Sequence, residues 1–162
     1  RGTGILFGDG GGSVVLQRGD GGMLGWYEAT DGDEEEILYA GPDTHITMDG
    51  PAVFKQAVKA MIRAGEIALE RTLENTGVNR EEIDLIIPHQ ANKRIIEAAA
   101  KRMKYSMDQI VIDLDRHGNT SSGSIPLALK RAREDERIAK GSKLLLVGFG
   151  AGMTEAAAVV EV

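Results

Sequence analysis

The 162-residue sequence predicts an α/β fold in which helices pack on a mixed β-sheet. From residue 51 onward, segments with helical periodicity alternate with short apolar segments typical of strands. The last two predicted strands, at 143–149 and 155–162, are joined by only a few residues, as in an antiparallel pair. The earlier strands are separated by helices, which is the arrangement that connects parallel strands.

The longest predicted helix extends from residue 51 to residue 77. Asp49 or Gly50 can cap its first turn, Pro51 suits the first helical position, and Gly77 can end it. The other predicted elements are strands at 5–7, 13–17, 23–29, 37–40, 84–87 and 110–114, and helices at 91–103 and 124–136.

Composition narrows the classes of function. The formal net charge of −6 argues against a nucleic-acid binder that works by neutralising phosphates. The chain has no cysteine, which excludes disulfides, zinc–thiolate sites and a cysteine nucleophile within these residues. No apolar segment approaches the length of a membrane span, and no signal peptide is visible. Because the sequence starts at Arg1 rather than at a methionine, we expect a fragment or a processed piece.

Two segments near the N-terminus could bind ions, but each has a simpler interpretation. The glycine-rich segment 8–12 could cradle a phosphate, yet no helical pattern follows it, so a strand–turn–strand is favoured. The acidic segment 31–36 lacks the spacing of metal ligands and is interpreted as a solvated loop. His45 is interpreted as a surface side chain. We expect neither a metal site nor a cofactor.

Three polar or glycine-rich loops follow strands of the predicted sheet. They carry His89, Asn119 and the turn at 150–152. If the strands are parallel neighbours, the loops share one sheet edge and offer an imidazole, a carboxamide and backbone N–H groups. Such donors can stabilise a negative charge that develops on a carbonyl oxygen. A structural role for His89 remains an equal alternative at this point. Ser121 and Ser122 are interpreted as helix caps rather than nucleophiles.

Several segments resemble motifs of the β-ketoacyl-acyl carrier protein synthase III family. Residues 88–95 read PHQANKRI, similar to the family's PHQAN-x-R-I motif. Residues 116–126 read RHGNTSSGSIP, similar to HGNTS-x-x-S-x-P, and residues 148–152 read GFGAG, similar to the C-terminal glycine turn. Residues 7–10 (FGDG) and 48–50 (MDG) also resemble segments of this family.

The resemblance implies the C-terminal half of a thiolase-like fold. This half would contain a mixed five-stranded sheet and would form a layered αβαβα sandwich with an N-terminal half that lies outside the chain. Residues 1–18 would be the final strand region of the N-terminal half, and residues 19–162 the C-terminal domain.

The resemblance also implies an acyltransferase that starts fatty-acid synthesis. A cysteine in the N-terminal half would hold an acyl group taken from acyl-CoA. Malonyl-acyl carrier protein would then lose carbon dioxide and condense with this group to give 3-oxoacyl-acyl carrier protein. His89 and Asn119 would stabilise the enolate, Phe149 would exclude water, and the Ala151 N–H would complete an oxyanion hole. The chain alone would be inactive, because it lacks the cysteine.

Two further groups of residues receive roles from the resemblance. The residues expected to line the pantetheine tunnel are Met48, Gly50, Ala91 and Asn92. The basic residues expected to face the acidic carrier protein are Arg94, Lys55, Lys101 and Arg102. Such a basic patch on an acidic chain suits an electrostatically guided encounter.

The implied partners are acyl carrier protein, acyl-CoA, the N-terminal half and a second copy in a homodimer, in the cytoplasm. Nucleic acid and membrane are not expected as partners. Two positions depart from the family pattern: Ala151 stands where glycine is common, and Glu155 where some members have tryptophan. Alternatives are a starter-unit, polyketide or quinolone-type synthase on the same scaffold, or a non-catalytic CoA- or carrier-binding module. The presence of both His89 and Asn119 argues against the module.

Overall fold

A computed structural model of the chain describes residues 4–19, 21–41 and 45–162, without the side chains of residues 34 and 35. The strands are β1 (Gly22–Thr30), β2 (Leu38–Tyr39), β3 (Thr47–Met48), β4 (Leu85–Pro88), β5 (Lys143–Gly150) and β6 (Thr154–Glu161). The α-helices are α1 (Gly50–Thr76), α2 (Lys93–Arg102), α3 (Leu114–His117) and α4 (Ser124–Glu134). Short 3₁₀ helices lie at Gly4–Leu6, Gly32–Ile37, Arg80–Glu82, Met107–Gln109 and Ser121–Gly123.

The main sheet has the strand order β1-β6-β5-β4 and is mixed, as the sequence predicts. Strands β4 and β5 are parallel, whereas β6 is antiparallel to both of its neighbours, β5 and β1. The antiparallel pairing of the last two strands is therefore confirmed. Strands β2 and β3 form a separate small sheet ahead of α1.

The predicted strand at 110–114 is wrong, so the main sheet has four strands instead of five. One bridge remains, where Val111 N–H donates to Ile86 O at 2.9 Å. Beyond it, the amide side chain of Gln90 binds Val111 O and Asp113 N, in the place of backbone groups from a neighbouring strand. The chain then turns at Asp113 into the short helix α3.

The strands predicted at 5–7 and 13–17 are also wrong. Residues 4–6 form a 3₁₀ turn, Phe7 makes a single bridge with Asn119, and residues 13–17 are exposed and irregular. A strand requires backbone groups of a neighbouring strand, and the described residues place none beside 13–17. The turn predicted at 41–43 falls mostly outside the described residues.

The glycine-rich segment 8–12 does not form the predicted strand–turn–strand. It packs against the loop that contains Asn119 and against the start of α4. A Cβ atom on Gly8 would lie 2.0 Å from His117 O, and one on Gly12 would lie 2.2 Å from Pro126 Cβ. Close approach of the backbone therefore explains Gly8, Gly10 and Gly12.

Helix α1 begins and ends where the sequence predicts. Asp49 Oδ1 accepts a hydrogen bond from Ala52 N–H at 3.1 Å, and Pro51 occupies the first turn. Gly77 adopts the left-handed conformation with φ of 77°, and its N–H donates to Leu73 O at 2.9 Å. These caps satisfy backbone groups at both helix ends.

The core has two parts, one on each face of the sheet. Helices α1 and α2 bury apolar side chains against one face, where Met61, Ile96 and Leu145 are almost fully enclosed. Helix α4 packs over β4 on the other face, against Leu85 and Ile87. Burial on both faces explains why β4 is apolar throughout, and it fixes the carboxyl end of β4, where His89 follows. No helix among the described residues is long and apolar enough to cross a membrane.

Candidate active site

His89 lies at the carboxyl end of the parallel strand pair. Its backbone N–H donates to Val147 O at 2.8 Å and continues the pairing of β4 with β5. Its imidazole contacts the Phe149 ring edge-on, with 5.4 Å between the ring centroids and an interplanar angle of 70°. Functional groups in α/β folds collect at this end of the strands, so the fold places His89 where the sequence predicts a site.

A cavity of about 690 Å³ opens beside His89 and Phe149. Its walls come from the end of β1, the hairpin of β5 and β6, and the start of α4. The other lining residues are Glu28, Ala29, Thr30, Ser121, Ser122, Ser124, Ile125, Gly148, Gly150, Thr154, Glu155 and Ala156. Four elements distant in sequence thus converge on the imidazole.

The imidazole of His89 is neutral at physiological pH. Burial lowers the pKa of His89 from 6.5 to about 4, because desolvation disfavours the charged form. Its Nδ1 atom lies 2.6 Å from Ser124 Oγ. The other ring nitrogen, Nε2, has no hydrogen-bond partner among the described residues and is left for a ligand.

The carboxamide of Asn119, like the imidazole of His89, has one polar atom bound within the protein. Its Oδ1 accepts a hydrogen bond from Ser121 N–H at 2.9 Å, which leaves the amide nitrogen as a donor. Its backbone carbonyl accepts from Gly8 N–H at 2.9 Å, so the glycine-rich segment holds this loop in place.

The structure brings only some of the predicted catalytic residues to the cavity. His89 and Phe149 line it directly. Asn119 does not line it, but its hydrogen-bond partner Ser121 does. Ala151 is exposed in the turn between β5 and β6 and lies outside the lining. The catalytic roles of these residues remain predictions.

The four predicted pantetheine residues also lie outside the cavity lining. Met48 and Gly50 flank the start of α1. Asn92 caps α2, because its Oδ1 accepts from Arg94 N–H at 2.9 Å, and Ala91 N–H donates to His89 O at 3.0 Å. Their role in binding pantetheine remains a prediction.

The four predicted docking cations are exposed. Arg94 and Lys101 are seven residues apart on α2 and therefore share one side of the helix, with Arg102 adjacent and Lys55 on α1. Within the described part of the chain, none of the four forms an ion pair, whereas neighbouring Lys93 lies 3.8 Å from Glu97. Unpaired cations remain free to interact with an acidic partner.

The capping roles predicted for Ser121 and Ser122 are wrong. Gly123 occupies the N-cap position of α4 and makes no side-chain cap. Ser121 adopts a positive φ of 54° in the preceding 3₁₀ turn, and both serines line the cavity. Gly123 itself lies close to the Gly10 carbonyl, since a Cβ there would lie 2.9 Å from Gly10 O.

Sequence reasoning missed Gln90, the residue that joins the two loops. Its side chain is 1% exposed and makes three hydrogen bonds. The amide nitrogen donates to Pro88 O at 2.8 Å and to Val111 O at 3.1 Å, and Oε1 accepts from Asp113 N–H at 2.8 Å. A polar residue next to a wholly apolar strand was the available signal.

Glu155 is a second missed residue. It is 3% exposed on β6, and Arg63 from α1 binds both of its carboxylate oxygens, at 2.5 and 2.8 Å. A buried carboxylate requires such a partner. The pair fastens the hairpin wall of the cavity to α1, and the signal was an acidic residue directly before the apolar run 156–160. Among the described residues, no group of three or more histidine or acidic side chains could hold a metal ion.

The sequence also matches the profile of a protein family. The profile described as 3-oxoacyl-[acyl-carrier-protein (ACP)] synthase III C terminal matches residues 73–162. The chain belongs to this synthase III family. The match includes the His89, Asn119 and Phe149 segments, so the family resemblance of these motifs is confirmed.

Bacterial members of the synthase III family are similar along the whole chain. The β-ketoacyl-[acyl-carrier-protein] synthase III of Brucella suis is 43% identical, and that of Xylella fastidiosa is 44% identical. Each alignment covers 99% of this chain but 53% and 52% of the relatives. The chain therefore spans about half the length of these relatives.

Solved structures of the synthase III family share the fold. The Aquifex aeolicus structure has a TM-score of 0.89 at 33% sequence identity, and the alignment covers 100% of this chain and 52% of the Aquifex chain. The Thermus thermophilus structure has a TM-score of 0.86 at 39% sequence identity, and the alignment covers 100% of this chain and 53% of the Thermus chain. The predicted thiolase-like fold is confirmed, with four main-sheet strands in place of five.

We predict that Gln90→Met destabilises the protein by about 3 kcal/mol, at roughly 1 kcal/mol for each of three lost hydrogen bonds. Methionine has a similar shape but leaves Pro88 O, Val111 O and Asp113 N–H without partners. Denaturant unfolding measures the change. The matched control is Gln109→Met, because Gln109 is only half-buried and makes two hydrogen bonds, to Ile83 O at 3.1 Å and from the exposed Ser106 N–H at 3.4 Å. Equal losses in both variants would contradict the role given to Gln90.

We further predict that His89 makes stability depend on pH. The unfolded chain binds a proton near pH 6.5, whereas the folded chain binds it only near pH 4. The contribution of His89 to the free energy of unfolding is therefore greatest above pH 6.5. Between pH 6.5 and pH 4 it decreases by about 1.4 kcal/mol for each pH unit. The slope between pH 5 and 6.5 should decrease in His89→Gln. An imidazole that titrates near pH 6.5 by NMR would contradict this prediction.

Proposed function

We propose that this chain provides the enolate-stabilising half of an active site that condenses an acyl-CoA starter with malonyl-acyl carrier protein. The observation that carries the proposal is a neutral, half-buried His89 beside a cavity, with Nε2 free to face a ligand. Membership of the synthase III family supports this choice of reaction.

The reaction requires hydrogen-bond donors at one oxygen. When malonyl thioester loses carbon dioxide, the carbon–carbon bond breaks and its electron pair moves onto the α-carbon and the thioester oxygen. Neutral N–H donors aimed at that oxygen lower the barrier without holding a competing charge. His89 and Asn119 supply such donors in the proposed site.

The carbanion then attacks the carbonyl carbon of an acyl group held as a thioester. A carbon–carbon bond forms, the carbon–sulfur bond breaks, and the thiolate leaves. The chain contains no cysteine, so the sulfur must belong to residues outside it. In the proposal, an N-terminal half supplies this nucleophile.

The surface of the chain supports a partner on the face of the sheet that carries α4. Helix α4 covers β4 there, but an apolar cavity of about 280 Å³ remains over β1 and β6. Met23 and Trp26 border it and are 62% and 48% exposed. Val15 and Leu16 are also exposed, as expected if residues 1–18 belong with the N-terminal half.

Phe149 has a supporting role in this proposal. Its ring meets the imidazole edge and forms an apolar wall of the cavity. An apolar wall disfavours the malonyl carboxylate relative to neutral carbon dioxide, and it excludes water that would quench the carbanion. The homodimer and the cytoplasmic location remain predictions.

The main test removes the imidazole in the full-length synthase. We expect His89→Ala to lower the rate of malonyl decarboxylation roughly 10²- to 10³-fold, the usual effect of losing one oxyanion donor. Acylation of the cysteine by acyl-CoA should remain nearly unchanged, because His89 acts on the other substrate. His45→Ala is the control, since His45 is exposed and lies outside the cavity lining. Equal loss of both half-reactions would refute the assignment.

We also expect Arg94→Glu to raise the KM for malonyl-acyl carrier protein roughly three- to tenfold, because charge reversal slows an electrostatically guided encounter. The kinetics with acyl-CoA should not change. Arg133→Glu is the matched control, because this exposed arginine lies on α4, on the opposite face of the sheet. An unchanged KM in the Arg94 variant would remove Arg94 from the docking surface.

A further inference from the structure

Ser124 contacts the candidate catalytic histidine from the buried side. It is the first residue of α4 and is 2% exposed. Its Oγ lies 2.6 Å from His89 Nδ1 and accepts a hydrogen bond from Gln90 N–H at 3.2 Å. Neither the position of Ser124 in the helix nor the pattern of the sequence assigns it a role in the reaction.

The hydrogen bonds around Ser124 determine where its proton lies. A hydroxyl has one proton to donate and two lone pairs that accept. The Gln90 N–H occupies one lone pair, and among the described residues the only other polar contact of Oγ is His89 Nδ1. If the Ser124 hydroxyl donates its proton to Nδ1, then the Gln90 N–H, the hydroxyl and Nδ1 each have a hydrogen-bond partner.

The opposite assignment leaves a buried group unsatisfied. If His89 carried its proton on Nδ1, Ser124 Oγ would accept two hydrogen bonds and its own proton would have no acceptor among the described residues. Burial makes such an orphaned donor costly. The arrangement therefore favours a lone pair on Nδ1 and a proton on Nε2.

We propose that Ser124 is a positioning residue that holds His89 in the tautomer with the proton on Nε2, the nitrogen left for a ligand. The proposal rests on the proposed function, because the Nε2–H group is the donor that the enolate oxygen requires. In the other tautomer Nε2 would present a lone pair and repel that oxygen. Phe149 adds a second restraint, since its ring limits rotation of the imidazole.

The same two side chains could be mistaken for a serine–histidine nucleophile. That reading requires the hydroxyl to reach a substrate and the imidazole to take its proton during attack. Ser124 Oγ instead accepts a backbone N–H from Gln90, and the residue is 2% exposed. These contacts suit a fixed support for the ring.

The direct test measures the tautomer in the full-length synthase. Long-range ¹H–¹⁵N NMR distinguishes a protonated ring nitrogen from an unprotonated one. We expect wild-type His89 to show a protonated Nε2 and an unprotonated Nδ1, and Ser124→Ala to show a mixed or reversed pattern. Ser124→Thr keeps a hydroxyl and should restore the wild-type pattern.

The matched control is Ser142→Ala. Ser142 is also buried, and its Oγ also accepts a backbone N–H, from Ala139 at 3.0 Å, but it lies outside the cavity lining. This variant loses a similar hydrogen bond and should leave the His89 tautomer unchanged. In parallel, malonyl decarboxylation should fall roughly tenfold or more in Ser124→Ala, with cysteine acylation preserved.

A protonated Nδ1 in wild-type His89, or the same tautomer in wild type and Ser124→Ala, would overturn the role of Ser124. The wild-type spectrum decides this even if a variant fails to fold. Failure of the proposed function has a different signature, which is undiminished decarboxylation in His89→Ala. A tautomer shift in Ser124→Ala supports the positioning role irrespective of that result.

Discussion

The candidate site depends on the buried carboxamide of Gln90. Its three hydrogen bonds join the end of β4 to the segment that leads to Asn119. A regular strand at 110–114 would have satisfied the same backbone groups, but it would have carried the chain onward along the sheet. The side chain ends the ladder after one bridge and lets the chain turn at Asp113. Because these groups are buried, water cannot replace the amide without cost.

The side chains of Asn119 and His89, the two candidate donors, are oriented by hydrogen bonds in the same way. In Asn119, Ser121 N–H occupies the amide oxygen, so the nitrogen remains. In His89, the inferred bond from Ser124 occupies Nδ1, so Nε2–H remains. In both residues the accepting atom is bound within the protein and the donating atom is left for a ligand. That arrangement suits stabilisation of an oxyanion, whereas a general base would need an exposed lone pair.

Local signals predicted much of the fold. The ends of α1 follow from Asp49 and Gly77, and the position of His89 follows from a buried strand that ends in a polar loop. The failures are segments whose structure depends on distant partners. The apolar pattern at 110–114 resembles a strand, but β4 pairs with it at a single bridge, and beyond that bridge the Gln90 side chain binds its backbone. Residues 13–17 have strand-forming side chains, but the described part of the chain places no strand beside them.

The supporting residues of the site could not be predicted for a related reason. Hydrophobic periodicity separates buried from exposed positions, but it does not identify the partner of a buried polar group. Gln90, Ser124 and Glu155 each interrupt an apolar environment, and each is explained by a contact 21 to 92 residues away. Such interruptions mark sites where burial must be offset by specific hydrogen bonds. In this chain they lie around the candidate site at His89 and support the side chains and walls that form it.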